Sequence, residues 1–295
     1  MDDLFGGVVP HAFVRTKAIT HGLVSDDAER PQGWSDVFAA RIRHVVLPGY
    51  TAFSARDAER AVSLLLADGS VRIKKPLAGG GRGQARVQTS TEMATMLEAL
   101  PSDELRECGL VFESDLSDVT TLSVGQVMLA DVTVTYHGTQ RLTTDNEGLS
   151  AYGGSDLVCV RGGWDTLDRL PVAPNIRHAI AQAKAYDEAT SEYAGFMASR
   201  RNYDIGQGVD GRGRWRSGVF EASWRAGGAT GAELAALAVF VEDATVGVVH
   251  ASSVQEFGDW TAPPSGAHVH FQGDDPKLGP MIEYAAVTGV RRMAI

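Results

Sequence analysis

Cysteine is almost missing from this chain. There are two, Cys108 and Cys159, in no CxxC or metal-like spacing, which excludes a disulfide framework and a thiolate zinc site. Both are expected to be ordinary reduced, buried residues. No stretch reaches the roughly 18 consecutive apolar residues that a membrane helix needs. The start, "MDDLFGGVVPH", lacks the positive charge of a secretory leader. Positive charge is scarce overall. Lys plus Arg is 27 against 37 Asp plus Glu, a net charge of -10, which argues against a broad nucleic-acid surface. A GxSxG elbow, a GxxxxGK[ST] phosphate loop and a GxGxxG fingerprint are also missing. These absences leave a cytoplasmic enzyme or binding protein for small molecules, with no membrane and no nucleic-acid partner.

Apolar residues make up 44% and charged residues 22%, enough for a real core. A length of 295 suits two joined lobes. The first 45 residues read as loops with one short helix. In "SARDAERAVSLLLADG", Ser54 is an N-cap, apolar residues recur at helical spacing from Ala58 to Leu66, and Gly69 ends the pattern. "SVRIK" reads as a strand, "STEMATMLEAL" as a helix, "GLVFE" as a buried strand and "TLSVGQVMLADVTVTYHG" as sheet. Residues 174–199 read as one helix with Pro174 in its first turn. "DGRG" is a hairpin turn between two strand-like arms, and "GATGAELAALAVFVED" is a helix. One or two strands and a short terminal helix are expected in the last 45 residues. This order predicts an α+β fold with sheets in two lobes.

Two stretches carry chemistry. "IKKPLAGGGRGQARV" places Lys74 and Lys75 at a strand end, then Gly79, Gly80, Gly81, Arg82 and Gly83. Such glycines let backbone N–H groups face an anion, and the cations suit phosphate. The second stretch is the hairpin "RRNYDIGQGVDGRGRWRSGVFEASWR". Counting outward from residues 211 and 212 sets Glu221 near Asn202, with Asp204 a close neighbour. Glu221, Ser223 and Arg225 alternate on one face. Carboxylates beside hydroxyl and amide oxygens suit a hard cation such as Mg²⁺, with phosphate oxygens completing its shell. Arg200 and Arg201 in "RRN", and Arg141 in "GTQRLTTDNEG", are candidates for substrate or phosphate, or surface cations. His268 and His270 share a strand face but show no third metal ligand. Trp215 and Trp224 read as packing residues.

Together the two stretches resemble the ATP-grasp superfamily, and the chain looks like an uncharacterised bacterial branch of it. "VRIKKPLAGGGRGQARV" is similar to the Lys and Gly-rich element that covers ATP phosphates. "GLVFESDL" is similar to the strand and hinge that hold adenine, with Glu113, Ser114 and Leu116 in those places. "VFEASWR" is similar to E-x-N-x-R, with Ser223 where the family usually has Asn. Lys17 in "VRTKAITHG" matches an earlier phosphate Lys. The resemblance implies an ATP-grasp-like fold with nucleotide between two lobes. Residues 46–115 would form the small lobe and 116–295 the large lobe with the metal site. Residues 1–45 would be the remnant of a short or missing N-terminal substrate domain.

The activity implied is an ADP-forming carboxylate–amine ligase using ATP and Mg²⁺. Lys17, Lys74 or Lys75, the loop and the hinge would hold ATP. Glu221, Ser223 and either Asp204 or Asp210 would hold the metal. Arg225, Lys75 and Arg141 would act on the reacting groups. The partners implied are a small-molecule carboxylate and an amine, and the class allows a homodimer. Two rivals are a small-molecule kinase and a nucleotide-binding protein without turnover.

Overall fold

The computed structural model describes residues 4–78, 83–99, 101–129 and 131–293. In chain order the strands are β1 Gly7–Val8, β2 Gly49–Ala52, β3 Val71–Lys74, β4 Gln84–Val87, β5 Leu110–Ser114, β6 Leu116–Leu129, β7 Val132–Thr144, β8 Ser150–Arg161, β9 Met197–Ala198, β10 Arg200–Asp210, β11 Trp215–Ser223, β12 Val246–Phe257, β13 His268–Asp275 and β14 Gly279–Arg292. The helices are α1 Asp36–Ile42, α2 Ala55–Leu65, α3 Ser90–Glu98, α4 Ser102–Cys108, α5 Trp164–Asp168, α6 Pro174–Ala189 and α7 Thr230–Glu242.

A small sheet runs β2-β5-β3-β4, and a large one runs β11-β10-β6-β7-β8-β12-β14-β13. Every strand pairing in both is antiparallel. Helix α2 shows how the small sheet is covered. The Ser54 hydroxyl accepts from the Asp57 N–H at 3.2 Å and starts the helix. Ala58, Ala61, Val62 and Leu65 then fall on one face and pack with Ile73, Leu110 and Phe112 of the small sheet.

The large sheet is covered on both faces. Tyr136 and His137 are neighbours on β7, so they point to opposite sides. Tyr136 lies with α7, among Cys159, Val249, Ala236 and Phe240. The row of His137, Val124 and Tyr203 faces the other way, toward α6. Residues 1–45 feed that second core: Phe13, Val14, Ile19, Phe38 and Ile42 are buried there against α6.

The chain passes between the two sheets twice. One crossing leads into β2, where Val46 bridges Val219 of β11. The other is Asp115, alone between β5 and β6. The two touch, since the Ser114 N–H donates to the Pro48 carbonyl at 2.9 Å.

Two expectations fail. Residues 174–199 are not one helix: α6 ends at Ala189, a 3-10 turn follows over Thr190–Glu192, and residues 197–198 form β9. Tyr193 turns into the Phe13 and Phe38 cluster and Gly195 takes φ +84°, both incompatible with a continuing helix. There is also no terminal helix among the described residues. The segment is β14, held by ladders to β12 and β13, and hydrogen bonding along both edges outweighs local propensity.

Candidate functional site

The β10–β11 hairpin builds one wall. Its turn centres on Arg212, because Val209 pairs with Trp215 and the Asp210 N–H donates to the Arg214 carbonyl. A β-bulge then sets Phe220 and Glu221 together opposite Asp204. Glu221 is therefore paired with Asp204 rather than Asn202, and Asn202 faces Ser223. All four sit on the α7 side of the large sheet.

Asp204 is held by three donors on one oxygen, Oδ1. They are Gln140 Nε2 at 2.7 Å, Asn202 Nδ2 at 2.8 Å and Ser123 Oγ at 3.4 Å. Its carboxyl titrates above the usual carboxylate range because burial outweighs these bonds. Glu221 is also raised, first by burial and then by Asp204; Lys17 opposes the shift. Glu221 Oε2 meets Lys17 Nζ at 3.2 Å. Among the described residues no hydrogen bond reaches Asp204 Oδ2 or Glu221 Oε1. Two mutually repelling carboxylates, each with an open oxygen, fit a divalent cation, which would relieve both the repulsion and the burial cost.

The facing residues come from the small sheet and from residues 17–21. Lys17 is buried, donates to the Ala78 carbonyl and pairs with Glu221. Lys74 is buried at the end of β3. Its Nζ lies 2.5 Å from Glu113 Oε1, 3.4 Å from the Phe220 carbonyl and 4.3 Å from the centre of the Phe220 ring. The Phe220 ring lies against Gly206, where a Cβ would meet Cζ at 1.8 Å. Glu113 is 0% exposed. Burial pushes its carboxyl up, but Lys74 and His21 together hold it below the ordinary value.

The structure thus brings together Lys17, Lys74, Glu113, Asp204 and Glu221. Of the two adjacent lysines, Lys74 points inward, while Lys75 turns out to Glu104 of α4 at 3.1 Å. Asp210 lies in the turn, away from Glu221. Burial would push its carboxyl up, but the Arg212 and Arg214 N–H groups and the Arg214 and Arg216 guanidiniums hold it well below the usual range. Ser223 Oγ accepts from Arg200 at 3.3 Å. Arg225 is exposed beyond β11, bonded to the Ala226 carbonyl. Ser114 and Leu116 flank the crossing at Asp115, which binds Arg72 at 2.6 Å and Arg86 at 2.8 Å. Gly83 has φ +65° and its carbonyl accepts from the Lys75 N–H. Gly79, Gly80, Gly81 and Arg82 lie outside the described residues.

Arg141 is not brought in. It lies on the α6 side of the sheet, bonded to Asp156 and to the Ser253 carbonyl. Its neighbour Gln140 takes the place at Asp204. The "RRN" cations are consumed internally. Arg200 makes a two-point pair with buried Glu233 of α7, and Arg201 binds Asp187. His268 and His270 meet edge to face, but the described residues contain no cluster of three metal-binding side chains. Trp224 is buried against Phe196 and Tyr203, whereas Trp215 is exposed beside His178. Sequence reasoning missed His21, Gln140, Ser123 and Phe220. Strand alternation around Arg141 carried a signal for Gln140; nothing local marked the others.

No curated protein matches this sequence. Among solved structures it is similar to N5-carboxyaminoimidazole synthetase from Staphylococcus aureus complexed with ADP, at TM-score 0.49 and 13% identity, covering 85% of this chain and 66% of that one. The biotin carboxylase domain of Hydrogenobacter thermophilus 2-oxoglutarate carboxylase gives 0.47 and 13%, with 85% and 59% covered. Biotin carboxylase from Campylobacter jejuni gives 0.45 and 14%, with 86% and 62% covered. The chain spans less than two thirds of the length of these three proteins. The model of a family described only as a protein of unknown function, DUF3182, matches residues 1–285, and the chain belongs to that family.

Proposed function

We propose that this chain binds ATP with Mg²⁺ and activates a carboxylate as an acyl phosphate, which an amine or similar nucleophile then attacks. The observation that carries the reading is the Asp204–Glu221 pair beside two buried lysines, Lys17 on Glu221 and Lys74 against Phe220. Two carboxylates with open oxygens opposite two buried ammonium groups form a polar site suited to a metal–polyphosphate. Broad basic surface is lacking, so the charge is local.

The substrate carboxylate would attack the γ-phosphorus, the bond to the ADP oxygen would break, and the incoming amine would later expel phosphate. Bound Mg²⁺ would supply charge neutralisation at the phosphate oxygens. Asp204 and Glu221 would hold it. Gln140, Asn202 and Ser123 keep Asp204 fixed. Lys17 and Lys74 would hold phosphate oxygens, and Glu113 with the 114–116 crossing would border the base. Arg225, free of any carboxylate partner among the described residues, would reach for the acyl phosphate.

Calorimetry with ATP and with a non-hydrolysable analogue, with and without Mg²⁺, tests the reading. Millimolar or tighter binding that strengthens with Mg²⁺ is expected. A folded sample that binds neither nucleotide overturns it. ADP release from a panel of carboxylates and amines then identifies turnover, and a stable phosphorylated product would reassign the chain as a kinase.

A further inference from the structure

The two buried lysines of the site are already paired, Lys17 with Glu221 and Lys74 with Glu113. On the nucleotide reading, on which this inference rests, both must turn to phosphate. The two exchanges differ. The Glu221 side chain is 25% exposed and would take the cation. Glu113 is 0% exposed, and a carboxylate left alone there is costly.

Its other oxygen, Oε2, meets His21 Nε2 at 3.2 Å, and His21 is 1% exposed. The ring is seated by Gly49, the register partner of Glu113. A Cβ on Gly49 would come within 2.6 Å of the ring's Cε1 and 2.7 Å of Nδ1. His21 Nδ1 has no partner among the described residues. An unfilled acceptor is cheaper than an N–H with nothing to donate to, so the surroundings favour the tautomer that donates from Nε2 to Glu113.

We propose that His21 is a positioning residue. It fixes Glu113 and keeps one hydrogen bond on that carboxylate, so that Lys74 can exchange it for phosphate. It touches no nucleotide itself and acts only through Glu113.

A double-mutant cycle in ATP affinity tests this, using His21→Leu, Glu113→Gln and the pair, with His21→Gln as the conservative variant. His21→Leu should weaken ATP binding about tenfold or more, since it bares a buried charge when Lys74 leaves. His21→Gln, which keeps a donor, should recover most of the loss. In the Glu113→Gln background the leucine change should cost less than about twofold, because no buried charge remains to be held. Wild-type affinity in His21→Leu overturns the proposal. So does an equal loss in both backgrounds, which a merely structural ring would give. If the leucine variant does not fold, His21→Ala in the same cycle reads the same coupling. If the unmodified chain binds no ATP, the nucleotide reading itself has failed, before any variant is compared.

Discussion

Glu221 and Asp204 each hold a proton more tightly than a free carboxylate, and burial is the main reason for both. A group with a raised folded value contributes its stability below the unfolded pKa, roughly 4.3 for Glu, and loses it as pH rises through the folded value. Glu221→Gln should therefore leave melting unchanged in acid and raise it slightly at neutral pH. Its Mg²⁺-dependent nucleotide stabilisation should be lost. Thermal scans at two pH values, with and without MgATP, check this. An unchanged nucleotide shift would move the metal site elsewhere. His137 has the opposite sign. Burial, then His250 and Arg177, pull its imidazole down to about 4. A lowered histidine favours the neutral form, so this stability is full above about 6.5 and falls away toward pH 4, by at most about 3 kcal/mol. Urea titrations of His137→Leu should show a flatter acid limb than the unmodified chain.

At the scale of the element, the hairpin shows what sequence can and cannot give. The arms and the "DGRG" turn were legible, because alternation and turn residues are local signals. The partner of Glu221 was not. The turn centre shifts by half a residue and the bulge at Phe220 adds one more step, and neither leaves a mark in composition. Arg141 and Gln140 illustrate the same limit. A cation drew notice, yet the strand presents its neighbour to Asp204. Likewise "RRN" advertised charge, while Arg200 is spent on Glu233, 33 residues away in sequence and 0% exposed. That pair ties α7 to the hairpin, and Arg200 also bonds the Arg225 carbonyl at 2.6 Å. Arg200→Met should leave Glu233 uncompensated and cost roughly 3–5 kcal/mol in chemical denaturation, against about 0.5 kcal/mol or less for an ordinary surface change. A loss under about 1 kcal/mol would mean that Glu233 finds water or another partner.

For the whole molecule, the two-sheet α+β architecture could be read from the order of patterns. The role of residues 1–45 could not, because their apolar residues lack a clear period and find their place only against α6. The last strand, β14, was read in part as a terminal helix for the same reason: its pairing to β12 and β13 is long-range. What the two touching crossings imply is mechanical. The chain enters the β2-to-β5 segment through residues 46–49 and leaves it through 114–116, side by side along one line. Such an attachment is a door on a single hinge line. That door is latched: the Lys17 N–H donates to the Pro76 carbonyl at 3.5 Å, Lys74 to the Phe220 carbonyl at 3.4 Å and Arg212 to the Ala67 carbonyl at 2.9 Å, so any swing of the small sheet must first break these bonds. Strand β4, the edge strand farthest from β2 in the sheet order, is the side that would travel most once they break.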